Sequence, residues 1–90
     1  MTIAQHELQG DLRAGDAEGL RRDLLAALEA GDLRIETAGL KSADMAVVQV
    51  LLSARRMAVQ AGRQLEIAVP GDGPLARLLP RLALDDALAA

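Results

Sequence analysis

The sequence predicts an α/β domain in which helices pack on a small, mixed or mostly parallel sheet. Short stretches of alternating apolar and polar residues, typical of half-buried strands, are separated by longer stretches with helical periodicity. Consecutive strands joined by a helix normally run parallel, and the predicted order is strand, helix, strand, helix, strand, helix. The chain is 51% hydrophobic but contains no Phe, Trp or Tyr, which suits an aliphatic core between helices and a sheet.

The N-terminal segment, residues 2–12, is predicted to form a strand or a short strand pair, because Ile3, Leu8 and Leu12 are spaced among polar residues. Gly10 interrupts this pattern, and a glycine inside a strand often marks a bulge.

The first helix is predicted from Asp16 to Ala30. Asp16 is a suitable residue to cap its start, and Gly31 is expected to take the left-handed conformation after its end. The apolar residues that share one face of this helix are Ala17, Leu20, Leu24, Ala27 and Leu28.

The central stretch, from Leu33 to Gly62, is predicted to contain a strand, a turn and a long helix. The strand begins at Leu33, because apolar and polar residues alternate through residue 37. Asp44 is placed to cap the long helix, and Gly62 is placed to end it.

The long helix carries two apolar stripes. The first faces the sheet and consists of Val47, Val50, Leu51, Ala54, Ala58 and Ala61. The second lies about 140° from the centre of the first and consists of Met45, Val48, Leu52 and Val59. The second stripe either packs against a neighbouring helix or forms an exposed surface for a partner, and the sequence does not separate these alternatives.

The C-terminal part is predicted to contain a strand, a loop and a short helix. The strand covers residues 65–69 and is followed by the loop PGDGP. Pro74 suits the first position of a helix from Leu75 to about Leu79, and Pro80 is expected to end or kink it. The tail, residues 82–90, is predicted as a short edge strand or a helical turn.

Composition excludes several classes of function. Ninety residues suffice for one domain, residues 1–90, with one modest core. The net charge of −3, with interspersed charges and no aromatic residues, argues against nucleic-acid binding. The chain has no cysteine, no signal segment and no apolar run long enough to cross a bilayer, so we expect a cytoplasmic protein without direct membrane insertion.

The residues needed for catalysis are few. His6 is the only histidine, and Ser42 and Ser53 are the only serines, so a Ser-His-Asp relay is not predicted. The glycines of the PGDGP loop precede a helix, but the loop lacks the Lys and the Ser or Thr of a phosphate-binding P-loop. The sequence therefore predicts neither an enzyme nor a cofactor.

Four segments, in order and with little gapping, resemble the STAS domain of bacterial anti-sigma factor antagonists and related chemotaxis-linked proteins. They are LQGDLRAGDAEGLRRDLLAAL, DLRIETAGLKSAD, VQVLLSARRMAVQAGRQLEIAVP and LARLLPRLALDD. The resemblance covers nearly the whole chain. It implies a small sheet with helices on one side and a working site at the start of the long helix.

In the family, that site has an Asp followed by a Ser or Thr that a partner kinase phosphorylates, and phosphorylation ends binding. Asp44 matches the Asp, whereas Met45 occupies the phosphoacceptor position and has no hydroxyl to phosphorylate. Ser42 is a candidate displaced phosphoacceptor, although the matching position usually points into the core. Arg13 replaces an acid found in many relatives and is expected to pair with Asp44.

The resulting hypothesis is a non-enzymatic regulatory STAS protein. It binds a histidine-kinase-like anti-sigma factor or a chemotaxis component through Asp44, Met45, Val48, Leu52 and Arg13, without phosphorylation at Met45. One alternative is an accessory STAS subunit of an ABC-type lipid transport complex, using the same helix face. Another is a STAS domain that binds a small ligand or nucleotide. The exposed apolar residues also suit a homodimer.

Overall fold

The computed structural model describes residues 3–81 and contains three strands and three helices in the predicted alternating order. The prediction for the tail falls outside these residues. The elements are β1 (Ala4–Asp11), α1 (Ala14–Ala30), β2 (Leu33–Ser42), α2 (Met45–Ala61), β3 (Leu65–Ala68) and α3 (Pro74–Arg81).

The three described strands form a parallel sheet in the order β1-β2-β3, with β2 in the centre. Leu33 of β2 lies between Ala4 of β1 and Leu65 of β3. The predicted α/β class is therefore confirmed. Of the two arrangements left open for the N-terminal segment, the single strand is the one observed.

Gly10 lies in a bulged part of β1. Its φ angle is +74°, and the pairing with β2 shifts register between Glu7 and Gln9 and again between Gly10 and Asp11. The predicted irregularity at Gly10 is confirmed, since glycine adopts a positive φ without the steric cost that other residues incur. On β2, a Cβ at Gly39 would lie 3.0 Å from Cγ of Gln9, so the strands approach closely here.

One face of the sheet carries the core. Leu33, Ile35 and Thr37 of β2 are buried, whereas the residues between them are only partly buried. The hydroxyl of Thr37 donates a hydrogen bond to the carbonyl oxygen of Ala68, 2.6 Å away, which satisfies this buried polar group. The alternation confirms that the helices pack on one side, because only one face of the strand is excluded from water.

The opposite face of the sheet is polar. The Arg34 guanidinium on β2 forms ion pairs with Glu36 of the same strand and with Glu66 of β3. Hydrogen bonds to Glu36 and then to Glu66 favour the charged guanidinium, which raises the pKa of Arg34 above its ordinary value. Parallel sheets usually bury both faces, and this ion-pair network lets one face remain in contact with water.

The start of α1 differs from the prediction. Arg13, not Asp16, is the N-cap residue, and the helix begins at Ala14. Oδ2 of Asp16 accepts a hydrogen bond from the backbone N–H of Arg13, and the N–H of Asp16 donates to the carbonyl oxygen of Arg13. Asp16 therefore stabilises the start of the helix from inside its first turn.

The end of α1 also differs from the prediction, because Gly31 is extended with a φ of 165° and is not left-handed. Arg63, after α2, instead binds the carbonyl groups at the end of α1. Its Nε donates to the carbonyl oxygen of Leu28 and its Nη2 to that of Glu29, both at 3.0 Å. Gly62 ends α2 as predicted, and its φ of 69° lies in the left-handed region.

We expect Arg63→Ala to lower the free energy of unfolding by about 1 to 2 kcal/mol, because it removes two charge-assisted hydrogen bonds and a cation at a helix C-terminus. Urea denaturation followed by circular dichroism measures the change. Arg56→Ala, at an exposed arginine of α2, is the control and should change stability by less than about 0.5 kcal/mol. Equal effects of the two substitutions would contradict the role given to Arg63.

Pro74 is the first residue of α3, as predicted. Pro80 does not end this helix, which includes Arg81. Leu75 and Leu79 are buried, so they attach the helix to the core. Pro80 lacks only its own backbone N–H donor, so the burial of these two leucines outweighs its effect on the helix.

Candidate functional site

The parallel strands bring two turns together at one edge of the sheet. Asp11 at the end of β1 lies opposite Ser42 at the end of β2, and the Ser42 hydroxyl donates to Oδ1 of Asp11 at 2.7 Å. The backbone N–H of Leu12 donates to the carbonyl oxygen of Ser42. The turn that begins α2 is therefore fixed on the strand beside it, and side chains at this edge are available for binding.

Asp44 is the N-cap of α2, as predicted. Its Oδ1 accepts a hydrogen bond from the N–H of Val47 at 3.3 Å, and its carbonyl oxygen accepts from Val48. Asp44 has extended backbone angles, so the chain changes direction here and enters the helix. The side chain thereby fixes the position of Met45, the next residue.

We expect Asp44→Ala to lower the free energy of unfolding by about 1 kcal/mol, because the Val47 N–H loses its side-chain acceptor. Asp44→Ser should retain most of the stability, since a hydroxyl also caps a helix. Thermal or urea denaturation measures both. Asp23→Ala, at an exposed position of α1, is the control, and a loss there as large as at Asp44 would contradict the capping role.

Met45 is the first residue of α2 and its side chain is 51% exposed. It lies directly after the cap, so the capped turn positions its backbone while about half of the residue remains exposed to solvent. Among residues 3–81, the large apolar side chains that remain exposed are Ile3, Met45, Met57 and Val59.

Val48 was predicted to belong to the partner-binding surface, and that prediction is wrong. Its side chain has 0% exposure and belongs to the same core cluster as Leu20, Leu24 and Leu28 of α1. The reason is that α1 packs along α2, so the buried arc of α2 is wider than its sheet-facing stripe. Of that first stripe, all members are buried except Ala61, which is exposed as the last residue of the helix.

The rest of the second stripe remains accessible. Leu52 is partly buried and packs against the core, whereas Val59 is 76% exposed. Met45, Leu52 and Val59 are each seven residues apart, about two helical turns, so they lie almost in line along α2. We call these three residues the α2 stripe.

Arg13 does not pair with Asp44, which corrects the expectation from the sequence. No ion pair between described residues joins them, because the Asp44 carboxylate binds the helix N-terminus and the backbone of Arg13 binds Asp16. Ser42 is partly exposed and does not lie in the core, in contrast to the usual place of its matching position. Its role as a displaced phosphoacceptor stays a prediction.

A groove of about 270 Å³ adjoins the turn on the side of α3. We call it the α3 groove. The sequence did not reveal it, because Lys41 lies far along the chain from Arg77 and Arg81 and no motif links them. Its lining residues are Lys41, Ser42, Ala43, Pro74, Arg77, Leu78 and Arg81.

A larger cleft, of about 670 Å³, lies between β1 and α1. His6 and Asp16 are among its lining residues, but Ser42 and Ser53 are not.

Within the part of the chain that the structure describes, no three His, Asp or Glu side chains are grouped to hold a metal ion. No helix among those residues has the length and apolarity needed to cross a membrane.

Together these features define a one-sided α/β domain whose long helix carries exposed apolar side chains at its start, Met45, and near its end, Val59. A protein-family model described as "Mlab, STAS domain" matches residues 4–89, which is nearly the whole chain. The chain therefore belongs to the STAS domain family, as its sequence motifs predicted. No curated protein matches it.

Proposed function

We propose that this chain is a non-enzymatic regulatory STAS protein, similar to anti-sigma factor antagonists. It binds a protein partner through the Asp44–Met45 turn and the exposed side of α2. The observation that carries the proposal is the position of Met45, a half-exposed apolar side chain held in place by the cap at Asp44. A flexible, polarizable thioether suits a contact surface that adapts to its partner.

The α2 stripe extends this contact along the helix. Its three residues span about 21 Å, and a spacing of seven residues suits a partner helix lying alongside. Val59 is 76% exposed, so a partner that covers it removes a large apolar side chain from water. The proposed surface is therefore the turn together with this stripe, without Val48.

This proposed surface lacks a phosphorylation switch at the position where STAS relatives carry a Ser or Thr. By the family resemblance, Met45 occupies the phosphoacceptor position, and a thioether does not accept a phosphoryl group. In relatives that do carry the hydroxyl, phosphate places about two negative charges beside an aspartate in the contact surface. Partner binding by this chain is thus independent of phosphorylation at residue 45, and Ser42 is the remaining candidate acceptor nearby.

The partner that the resemblance favours is a histidine-kinase-like anti-sigma factor or a chemotaxis component in the cytoplasm. The second candidate is an accessory subunit of an ABC-type transport complex, in which the α2 stripe is permanently covered. The exposure of Val59 supports this alternative, since a stable subunit buries such residues. Co-purification discriminates between them: a permanent ATPase partner indicates transport, and a separable kinase-like partner indicates signalling.

A photo-crosslinking amino acid tests the contact in the complex with the co-purified partner. Placed at position 45, it should form a crosslink to the partner. Placed at position 57, about 120° around the helix, it should not. Crosslinking from position 57 alone, or from Gln5 on the polar face of the sheet, would overturn the proposal.

A further inference from the structure

The α3 groove is cationic, although the chain as a whole has a net charge of −3. Lys41 at the end of β2 and Arg77 and Arg81 on α3 line it, and all three are exposed. They come together because α3 packs its buried Leu75 and Leu79 against the core beside the end of β2. No ion pair between described residues involves these cations.

The lining of the groove combines these cations with apolar groups. Ala43 and Leu78 are partly buried and pack against the core, so they lie deeper than the charged side chains. Nη2 of Arg77 donates to the carbonyl oxygen of Asp72 at 3.2 Å, which fixes the guanidinium near the start of α3. A concave apolar base with cations around it fits an extended segment that carries both carboxylates and small apolar residues.

We infer that the α3 groove binds an acidic peptide segment of the protein partner. This inference rests on the proposed function, because Ala43 and Asp44 connect the groove directly to Met45 and one partner can contact both. The expected partner therefore has an apolar helix that contacts the α2 stripe and an adjoining acidic segment that binds in the α3 groove. A peptide is favoured over an anionic membrane because the three cations flank a small site of about 270 Å³ with the partly buried Ala43 and Leu78 between them, whereas a membrane surface requires a broad cationic face.

A labelled oligo-glutamate peptide tests the groove without the partner. Fluorescence anisotropy should show binding that weakens between about 0.05 M and 0.5 M salt, because screening shortens the range of charge interactions. The double variant Arg77→Glu/Arg81→Glu should lower the affinity for the peptide by at least about tenfold, since each charge reversal removes an attraction and adds a repulsion. The control Arg21→Glu/Arg22→Glu makes the same change of net charge on α1 and should leave the affinity within about twofold.

Equal losses in the two double variants, or no binding by the unaltered chain, would overturn the inference. Binding to phosphatidylglycerol vesicles but not to the peptide would also overturn it. Circular dichroism first establishes that both variants are folded. If Met45→Asp weakens binding of the partner and Arg77→Glu/Arg81→Glu does not, the inference about the α3 groove is contradicted and the proposed function is retained. If only Arg77→Glu/Arg81→Glu weakens binding, the proposed contact at Met45 is contradicted and the role of the groove is retained.

Discussion

Val48→Asp is expected to leave the domain largely unfolded under conditions in which the unaltered protein is folded. Val48 has 0% exposure, so the substitution loses about 1.5 to 2 kcal/mol of apolar burial and places a carboxylate in the core. The penalty for burying the unpaired charge is several kcal/mol more. A domain of this size has a total stability of about 5 to 14 kcal/mol, so the loss takes a large part of it.

Urea denaturation followed by circular dichroism measures this effect. If Val48→Asp does not fold at all, Val48→Ala gives a graded result, an expected loss of about 2 kcal/mol from the two missing methyl groups. Met45→Asp is the matched control, because it makes the same kind of change three residues earlier on the same helix. If Val48→Asp unfolds at the same midpoint urea concentration as the unaltered protein, the Val48 side chain is not in the core.

Met45→Asp is expected to remain folded and to weaken binding of the partner about tenfold or more. The carboxylate would enter an apolar contact beside the existing Asp44 carboxylate, and the resulting desolvation and repulsion cost at least about 1.4 kcal/mol. The fold should tolerate the change, because Met45 is 51% exposed and a negative charge in the first turn interacts favourably with the helix dipole. Titration calorimetry with the purified partner measures the affinity.

Two further variants make the result specific to Met45. Met45→Leu keeps an apolar side chain and should bind within about threefold of the unaltered protein. Met57→Asp introduces the same charge at a methionine that is 36% exposed on another side of α2, and it should have little effect. An affinity unchanged by Met45→Asp would remove this surface from the proposed function.

The features that the sequence predicted correctly depend on local chemistry. Alternation from Leu33 to Thr37 identifies a strand with one buried face, because successive side chains point to opposite sides. The cap at Asp44 and the left-handed Gly62 depend on backbone groups within one helical turn. The fold class follows from the order of such elements, and the family match over residues 4–89 agrees with it.

The features that the sequence missed depend on contacts between distant elements. Periodicity placed Val48 outside the sheet-facing stripe, but only the packing of α1 along α2 decides whether a second stripe is buried. At the end of α1, the carbonyl groups accept hydrogen bonds from Arg63, which follows α2 in the chain, and Gly31 does not form the predicted left-handed cap. The α3 groove brings Lys41 of β2 beside Arg77 and Arg81 of α3, and no local sequence pattern connects Lys41 with those two arginines.

The central claim is that the start of α2 is the partner-contact surface, and hydrogen exchange on the complex tests it most directly. Binding should slow exchange of the backbone amides in the first turns of α2, which begins at Met45, and leave the strand carrying Arg34 and Glu36 unchanged. Slower exchange confined to that strand and to Glu66, with α2 unaffected, would show that the partner binds the polar face of the sheet.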